Sequence, residues 1–332
     1  MQDRFPPAAA LRLLAAFLAL AAAACGGGSP ATPASAVPAS PGPSLADATG
    51  TWSARASLPT PRSEVASAVL DGKVYVIGGF TASGSNSRVV EAYDPLTDRW
   101  ESKAPLPEPR DHAMATAFGG RVFVFGGNAG SATRTAFAYD PRSDTWARLA
   151  DMPFQRSAGG AAVLDDRILV VAGAGESPAV TMVYDLARDR WQRGPALPAP
   201  REHLAVVAVG GRVYAIGGRW ENDLKSATEV LDSLTAGWRP LAPLPTARGG
   251  TGGGAVDGRI YVAGGEAFNP SRTFPQVEVY DPGNDAWSRT PGLPTPRHGL
   301  AVQGVGGSLY VIGGGPSAGL SVSPQNEALK TR

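Results

Sequence analysis

Six tryptophans constrain this chain more than any other feature. Trp52, Trp100, Trp146, Trp191, Trp238 and Trp287 follow one another at intervals of 48, 46, 45, 47 and 49 residues. A period of that length marks a repeat architecture, in which each unit needs its neighbours to bury its apolar faces. A second marker keeps step: Gly78-Gly79, Gly126-Gly127, Ala172-Gly173, Gly217-Gly218, Gly264-Gly265 and Gly313-Gly314, each after an apolar run such as VYVIGG (74–79) or IYVAGG (260–265). Between the two markers stands a tyrosine, at Tyr93, Tyr139, Tyr184 and Tyr280, seven residues before its Trp, with Leu231 in that place before Trp238.

Each unit reads as four strands. A small-residue strand such as VASAVL (65–70) meets a two-residue turn and then the apolar run. The turns are Asp71-Gly72, Gly119-Gly120, Asp165-Asp166, Gly210-Gly211, Asp257-Gly258 and Gly306-Gly307. Such pairs accept the positive φ values of tight hairpins, Asp165-Asp166 least readily. The third strand ends at Tyr-Asp, where Asp94-Pro95, Asp140-Pro141 and Asp281-Pro282 start type I turns. The fourth begins at the Trp and is expected to run to Leu-Pro-x-x-Arg. The apolar second strands show little alternation, as in sheets covered on both faces. Double Gly, without Cβ atoms, is expected to let bulky aromatic rings approach the backbone. Abundant Gly (42) and Pro (30) beside 43% hydrophobic residues agree with many short strands and tight turns.

Four apolar residues, Gly-Gly, then spaced Tyr and Trp resemble the kelch repeat over essentially all of residues 51–332. The resemblance implies an all-β fold, a six-bladed β-propeller of four-stranded antiparallel blades. The 282 residues from position 51 hold six periods of 47. The last unit has its Gly pair and a strand at Asn326 to Leu329 but no Trp, whereas Trp52 precedes the first Gly pair. The N-terminal strand TWSARA (51–56) is therefore expected to be the outermost strand of the last blade, closing the ring.

Residues 1–24 read as a signal peptide: Arg4 and Arg12 flank an apolar stretch from Leu13 to Ala24, too short to span a bilayer. The chain's only cysteine, Cys25, stands where cleavage falls. That arrangement resembles the lipobox of bacterial lipoproteins, with Ala22 in place of the usual Leu. It implies lipidation of Cys25 and an exported protein anchored in the bacterial envelope, at the outer membrane if Gram-negative; plain secretion or a periplasmic location is the alternative. Residues 25–50, rich in Pro, Ala, Ser and Gly, read as a disordered tether.

Charge excludes one class of partner. From residue 25 onward 28 basic residues balance 28 acidic ones, so the basic footprint of nucleic-acid binding is missing. A lone cysteine also excludes a disulfide framework and a Cys-rich zinc site. Copper oxidases of the kelch type need a Tyr–Cys crosslink, which this chain cannot form. The reading assigns no cofactor, no metal ligand and no catalytic residue, and expects a monomeric propeller.

In kelch propellers the loops from second to third strand and from fourth to first strand emerge on one face around the channel mouth. The resemblance makes that face the place for a protein or carbohydrate ligand. Here the first loop class carries Phe80, Asn128, Arg219, Trp220 and Glu266, and the second carries Asp111, His112, Glu202, His203 and His298. All three histidines fall in similar segments (PRDHAM, PREHLA, PRHGLA), either as functional groups or as residues the repeat tolerates there. Arg62, Arg110, Arg156, Arg201, Arg248 and Arg297, one per unit, are expected to hydrogen-bond loop carbonyls and carboxylates, with an anionic ligand at the rim as the alternative partner for some of them. Trp220 lies out of register with the repeat tryptophans, either as a contact anchor or packed on a neighbouring loop. The loops 217–226 and 266–276, the latter with Phe268, Arg272 and Phe274, should build the most elaborate part of the rim. The function expected is binding or scaffolding in the envelope. The alternative is a lectin or a carbohydrate-active enzyme resembling the six-bladed sialic-acid mutarotases, with Arg219, Glu266 and His203 as the residue types such chemistry needs.

Overall fold

The computed structural model describes residues 49–331, and every regular element in that range is a β-strand. The leader, Cys25 and the tether up to residue 48 lie outside the described residues. Six four-stranded antiparallel sheets follow one another. Blade 1 comprises Ala66–Leu70, Lys73–Ile77, Val90–Asp94 and Arg99–Lys103. Blade 2 comprises Met114–Phe118, Arg121–Phe125, Ala136–Asp140 and Thr145–Arg148. Blade 3 comprises Gly160–Leu164, Arg167–Val171, Val180–Asp185 and Arg190–Ala196. Blade 4 comprises Ala205–Val209, Arg212–Ile216, Thr228–Leu231 and Trp238–Pro240. Blade 5 comprises Gly252–Val256, Arg259–Ala263, Val277–Asp281 and Ala286–Arg289. Blade 6 comprises Ala301–Val305, Ser308–Ile312, Asn326–Thr331 and the N-terminal strand Gly50–Ala54.

The ring closes as expected. Gly50–Ala54 pairs antiparallel with Asn326–Thr331, Trp52 opposite Leu329. The innermost strand of each blade packs on that of the next, and that of blade 6 returns to blade 1. No sheet is dry by itself. The apolar side chains form six clusters, each shared by two neighbouring blades, such as Tyr75 and Ile77 with Val122, Val124 and Tyr139 between blades 1 and 2. Small residues crowd the axis, where the inner strands enclose a channel of about 350 Å³.

Two sequence readings are revised in their physical reason. The double Gly admits neighbouring backbone, not aromatic rings. Gly78 and Gly79 have φ of 62° and 95°, and a β-carbon on Gly79 would stand 2.4 Å from the Ser63 carbonyl. Gly79 N–H donates to the Arg110 carbonyl of the next loop at 2.7 Å, so the pair is a docking point between blades. Most fourth strands also stop early: that of blade 1 ends at Lys103 with Leu106 to Pro109 as loop, whereas that of blade 3 runs to Ala196, directly before Leu197-Pro198.

A clamp joins consecutive blades. Trp146 Nε1 donates to the Ala104 carbonyl at 2.8 Å, while Ala104 N–H donates to Asp144 Oδ1, which also accepts from the Tyr139 hydroxyl. The same set recurs with Tyr93, Asp98, Trp100 and Ala56, with Tyr184, Asp189, Trp191 and Ala150, and with Tyr280, Asp285, Trp287 and Ala242. This is the task of the spaced Tyr and Trp: to hold both backbone groups of one residue in the preceding blade.

The repeat arginines are spent internally. Arg62, Arg110, Arg156, Arg248 and Arg297 are fully buried and Arg201 nearly so. Arg62 donates to the Gly78 carbonyl and pairs with Glu91 at 2.6 Å; Arg201–Glu229, Arg248–Glu278 and Arg297–Glu327 repeat the pair. The expectation of carbonyl and carboxylate partners holds, and none of these six guanidinium groups is free for an anionic ligand.

Candidate functional site

The site grows out of one repeated position. Two residues after each repeat arginine stand Glu64, His112, Ala158, His203, Gly250 and Gly299, with φ of 51°, 50°, 53°, 53°, 65° and 58°. Their backbones form a collar around the axis. His112 N–H donates to the Glu64 carbonyl, Ala158 to His112, His203 to Ala158, Gly250 to His203 and Gly299 to Gly250, at 2.7 to 3.0 Å; Val65 N–H closes the circle onto Gly299 at 3.4 Å. Left-handed backbone favours glycine, which blades 5 and 6 use. A β-branchless but substituted residue there costs on the order of 1 kcal/mol. Three blades nevertheless place a titratable side chain at this point.

These side chains meet over the channel. His112 Nε2 lies 3.2 Å and His203 Nε2 3.9 Å from Glu64 Oε2, and the two imidazole centroids are 4.8 Å apart. His298, one residue after its arginine, turns Nδ1 to the other Glu64 oxygen at 3.1 Å and Nε2 to the Ser317 carbonyl at 3.1 Å. Outside the collar opens a cup of about 280 Å³, lined by Ser63, Glu64, Phe80, His112, His203, Arg219, Glu266, Phe268, His298 and Leu320. Arg219 Nε and Nη1 reach Glu202 Oε1 at 3.0 Å and Glu266 Oε1 at 2.7 Å, its Nη2 lies 3.1 Å from His203 Nε2, and the guanidinium sits 4.9 Å over the Phe268 ring.

The cup is acidic in character. Glu64 and Glu266 line it, Asp111 and Glu202 stand behind His112 and His203, and the one permanent cation in its wall, Arg219, is paired with Glu202 and Glu266. Burial alone would raise the Glu64 carboxyl, but His112, His298 and His203 together hold it well below the usual carboxylate range. Burial likewise opposes ionisation of Glu202, yet His203 and Arg219 hold it down to about 2. Burial lowers the His112 and His298 imidazoles, but the carboxylates of Glu64 and Asp111 on the first, and of Glu64 and Glu266 on the second, leave both raised.

Of the residues singled out from sequence, Phe80, His112, His203, Arg219, Glu266 and His298 line this one cup. Asn128 stands behind it, donating from Nδ2 to Asp111 Oδ1 at 2.7 Å. Trp220 is half-buried on a short hairpin, Arg219–Trp220 with Asp223–Leu224, and does not line the cup. Loop 266–276 forms a second hairpin, Glu266–Phe268 with Ser271–Thr273, which presents Phe268. Glu64 and Leu320 were missed. Glu64 carried a signal, since it follows Arg62 as His112 follows Arg110 and His203 follows Arg201. Leu320 lies in the second-to-third-strand loop of blade 6, the loop class of Phe80 and Phe268, at a point with no distinguishing sequence pattern.

Comparison with known proteins matches this architecture. The profile of the KLHDC2/KLHL20/DRC7 kelch-repeats domain matches residues 47–218, and the kelch motif matches residues 200–245 and 247–294. An F-box/kelch-repeat protein of Arabidopsis thaliana is 36% identical over 77 residues, 23% of this chain and 21% of that protein. Kelch-like protein 8 of Mus musculus is 32% identical over 62 residues, 19% of this chain and 10% of that protein. The chain thus spans well under two thirds of the length of either relative. The solved structure of YjhT superposes with a TM-score of 0.71 at 19% identity, covering 82% of this chain and 96% of YjhT; at that identity the likeness is one of fold.

Proposed function

The chain belongs to the kelch-repeat family, and on that premise we propose that it is a binding propeller of the bacterial cell envelope, exported by its leader, lipid-anchored through Cys25 and engaging its partner with the cup at the channel mouth. A binding role in general is what the propeller fold supports. The observation that carries the finer reading is the distribution of exposed apolar surface. Among the described residues the large hydrophobic side chains left exposed are Leu96, Phe268 and Leu320, and the last two rim the cup, 46% and 62% exposed. An apolar rim over a floor of hydrogen-bonding and charged groups is the usual make-up of a ligand site. The acidic floor favours a protein side chain or sugar that brings hydrogen-bond donors or positive charge.

The test is photo-crosslinking from position 320 in intact envelopes, followed by direct binding of the captured partner to purified protein. Phe268→Ser with Leu320→Ser should weaken that binding at least tenfold. Unchanged affinity would remove the cup from the interface. Cys25→Ser should abolish metabolic palmitate labelling; labelling that survives would refute the lipid anchor.

A second reading is favoured by one contact set. Arg219, Glu266 and His203, the groups a sugar-acid mutarotase would need, adjoin one another in the cup. Against it stands the double neutralisation of Arg219 by Glu202 and Glu266. Catalysed mutarotation of a sugar acid, lost in Glu266→Gln, would decide for this enzyme.

A further inference from the structure

The collar does more than line the cup. Glu64, His112 and His203 occupy a position where the backbone prefers glycine, and they spend the resulting strain on bringing three ligand-type atoms within 4.8 Å of one another. Each of the two imidazoles has a carboxylate close to its outward nitrogen, hydrogen-bonded for His112 and at ion-pair distance for His203. His112 Nδ1 contacts Asp111 Oδ1, itself held by Asn128; His203 Nδ1 lies 3.2 Å from Glu202 Oε1. A carboxylate behind a histidine is the arrangement that orients metal-binding imidazoles. Both inward nitrogens face the same Glu64 carboxylate oxygen, so a proton or a metal cation can stand between them.

We infer that Glu64 Oε2, His112 Nε2 and His203 Nε2 form a site for a divalent transition-metal ion, best matched by zinc, with Asp111 and Glu202 as the orienting carboxylates. Imidazole and carboxylate donors suit such ions. Tetrahedral zinc, with bonds of about 2.0–2.1 Å, places its ligand atoms roughly 3.3 Å apart. The Glu64–His112 edge already has that length at 3.2 Å, and the Glu64–His203 edge at 3.9 Å needs a small closure. His298 steadies the carboxylate from its other oxygen. One contact must yield: Arg219 Nη2 points at His203 Nε2, while its Nε and Nη1 keep Glu202 and Glu266. The alternative trio of Glu64, Glu266 and His298 fits less well, because Glu266 already accepts from Arg219 at 2.7 Å and from Gly319 N–H at 2.8 Å. The coordination position left over opens to the cup, and the site stands whether or not the cup takes a partner.

Titration of the chelator-treated full-length protein with zinc chloride, followed by calorimetry and by the melting temperature, tests the site. One equivalent should bind and raise the melting temperature. Cobalt(II) in its place should give the visible absorption of a four- or five-coordinate ion. Glycine accepts the left-handed backbone of the collar, so His112→Gly and His203→Gly should still fold, and both should lose zinc affinity tenfold or more. Glu64→Gln should lose it similarly with the collar intact, and Asp111→Asn should weaken it by tenfold or more through its orienting role. Absence of heat and of any melting shift overturns the proposal, as does binding that persists in the His112→Gly, His203→Gly double variant.

Discussion

Blades 3 and 4 each depart from the repeat, in opposite places. Blade 4 keeps the buried ion pair, Arg201 with Glu229, but lacks the clamp: Leu231 stands for Tyr, Ala236 for Asp, and the clamped residue is Pro195. Blade 3 keeps the clamp, Tyr184 and Asp189 on Ala150, but has Met182 where the glutamate belongs. In both cases the missing group has lost its partner or found a substitute. Proline has no N–H, so an aspartate opposite Pro195 would have nothing to accept from the backbone. Blade 6 repeats this logic with Leu329 and with Pro291, whose carbonyl takes the Trp52 indole at 2.9 Å. In blade 3 the Arg156 guanidinium is met by four carbonyls, of Ala172, Pro178, Glu176 and Ser177, at 2.8 to 2.9 Å. Repeat positions change as matched sets because a buried polar group is costly only when left alone.

The largest expected effect comes from giving blade 4 the composition of blade 3 at one position. Glu229→Met leaves Arg201 buried with the Ala215 and Ala227 carbonyls alone, and should cost about 3–5 kcal/mol in urea unfolding. The reverse change, Met182→Glu, should bring no gain, since the Arg156 end nitrogens are already committed to carbonyls. A stabilised variant would show that the carbonyl cage is second best. Next comes the clamp of blade 3. Asp189→Ala takes the acceptor from both the Tyr184 hydroxyl and Ala150 N–H, and should cost about 1 kcal/mol or somewhat more in the same assay. The smallest effect belongs to blade 4. Pro195→Ala exposes an N–H without an acceptor and loosens the unfolded chain, for a loss of about 0.4–1 kcal/mol. Adding Leu231→Tyr and Ala236→Asp should recover that loss, and a thermodynamic cycle should show coupling of about 0.5 kcal/mol or more. Simple additivity would mean that the clamp is not a unit.

Much of this was legible in the chain. Five of the six hairpin pairs have both residues at positive φ; the exception is Asp165-Asp166, where only Asp165 does. Asp94, Asp140 and Asp281 turn their side chains back onto the N–H two residues on, as turn-starting aspartates do. The arginine partners were written there too. Glu91, Glu229, Glu278 and Glu327 each stand two residues before Tyr93, Leu231, Tyr280 and Leu329, but a glutamate inside an apolar strand signals nothing until its buried arginine is known. Glu64 was hidden in the same way. It shares a repeat position with His112 and His203, but similarity of residue type drew attention to His298 instead, which is one position out of register.

The sequence by itself determined the number of blades, their strand order and the closure of blade 6 by Gly50–Ala54, because those follow from local patterns that recur with one period: apolar runs, turn pairs, and a Trp and Gly pair left unmatched at opposite ends. Only the tertiary structure decided the site. Glu64, His112 and His203 lie whole repeats apart, and nothing in their own segments draws them together. They meet because a ring of blades carries one repeated backbone position to a single axis, and a collar of hydrogen bonds holds it in the conformation that aims the side chains inward.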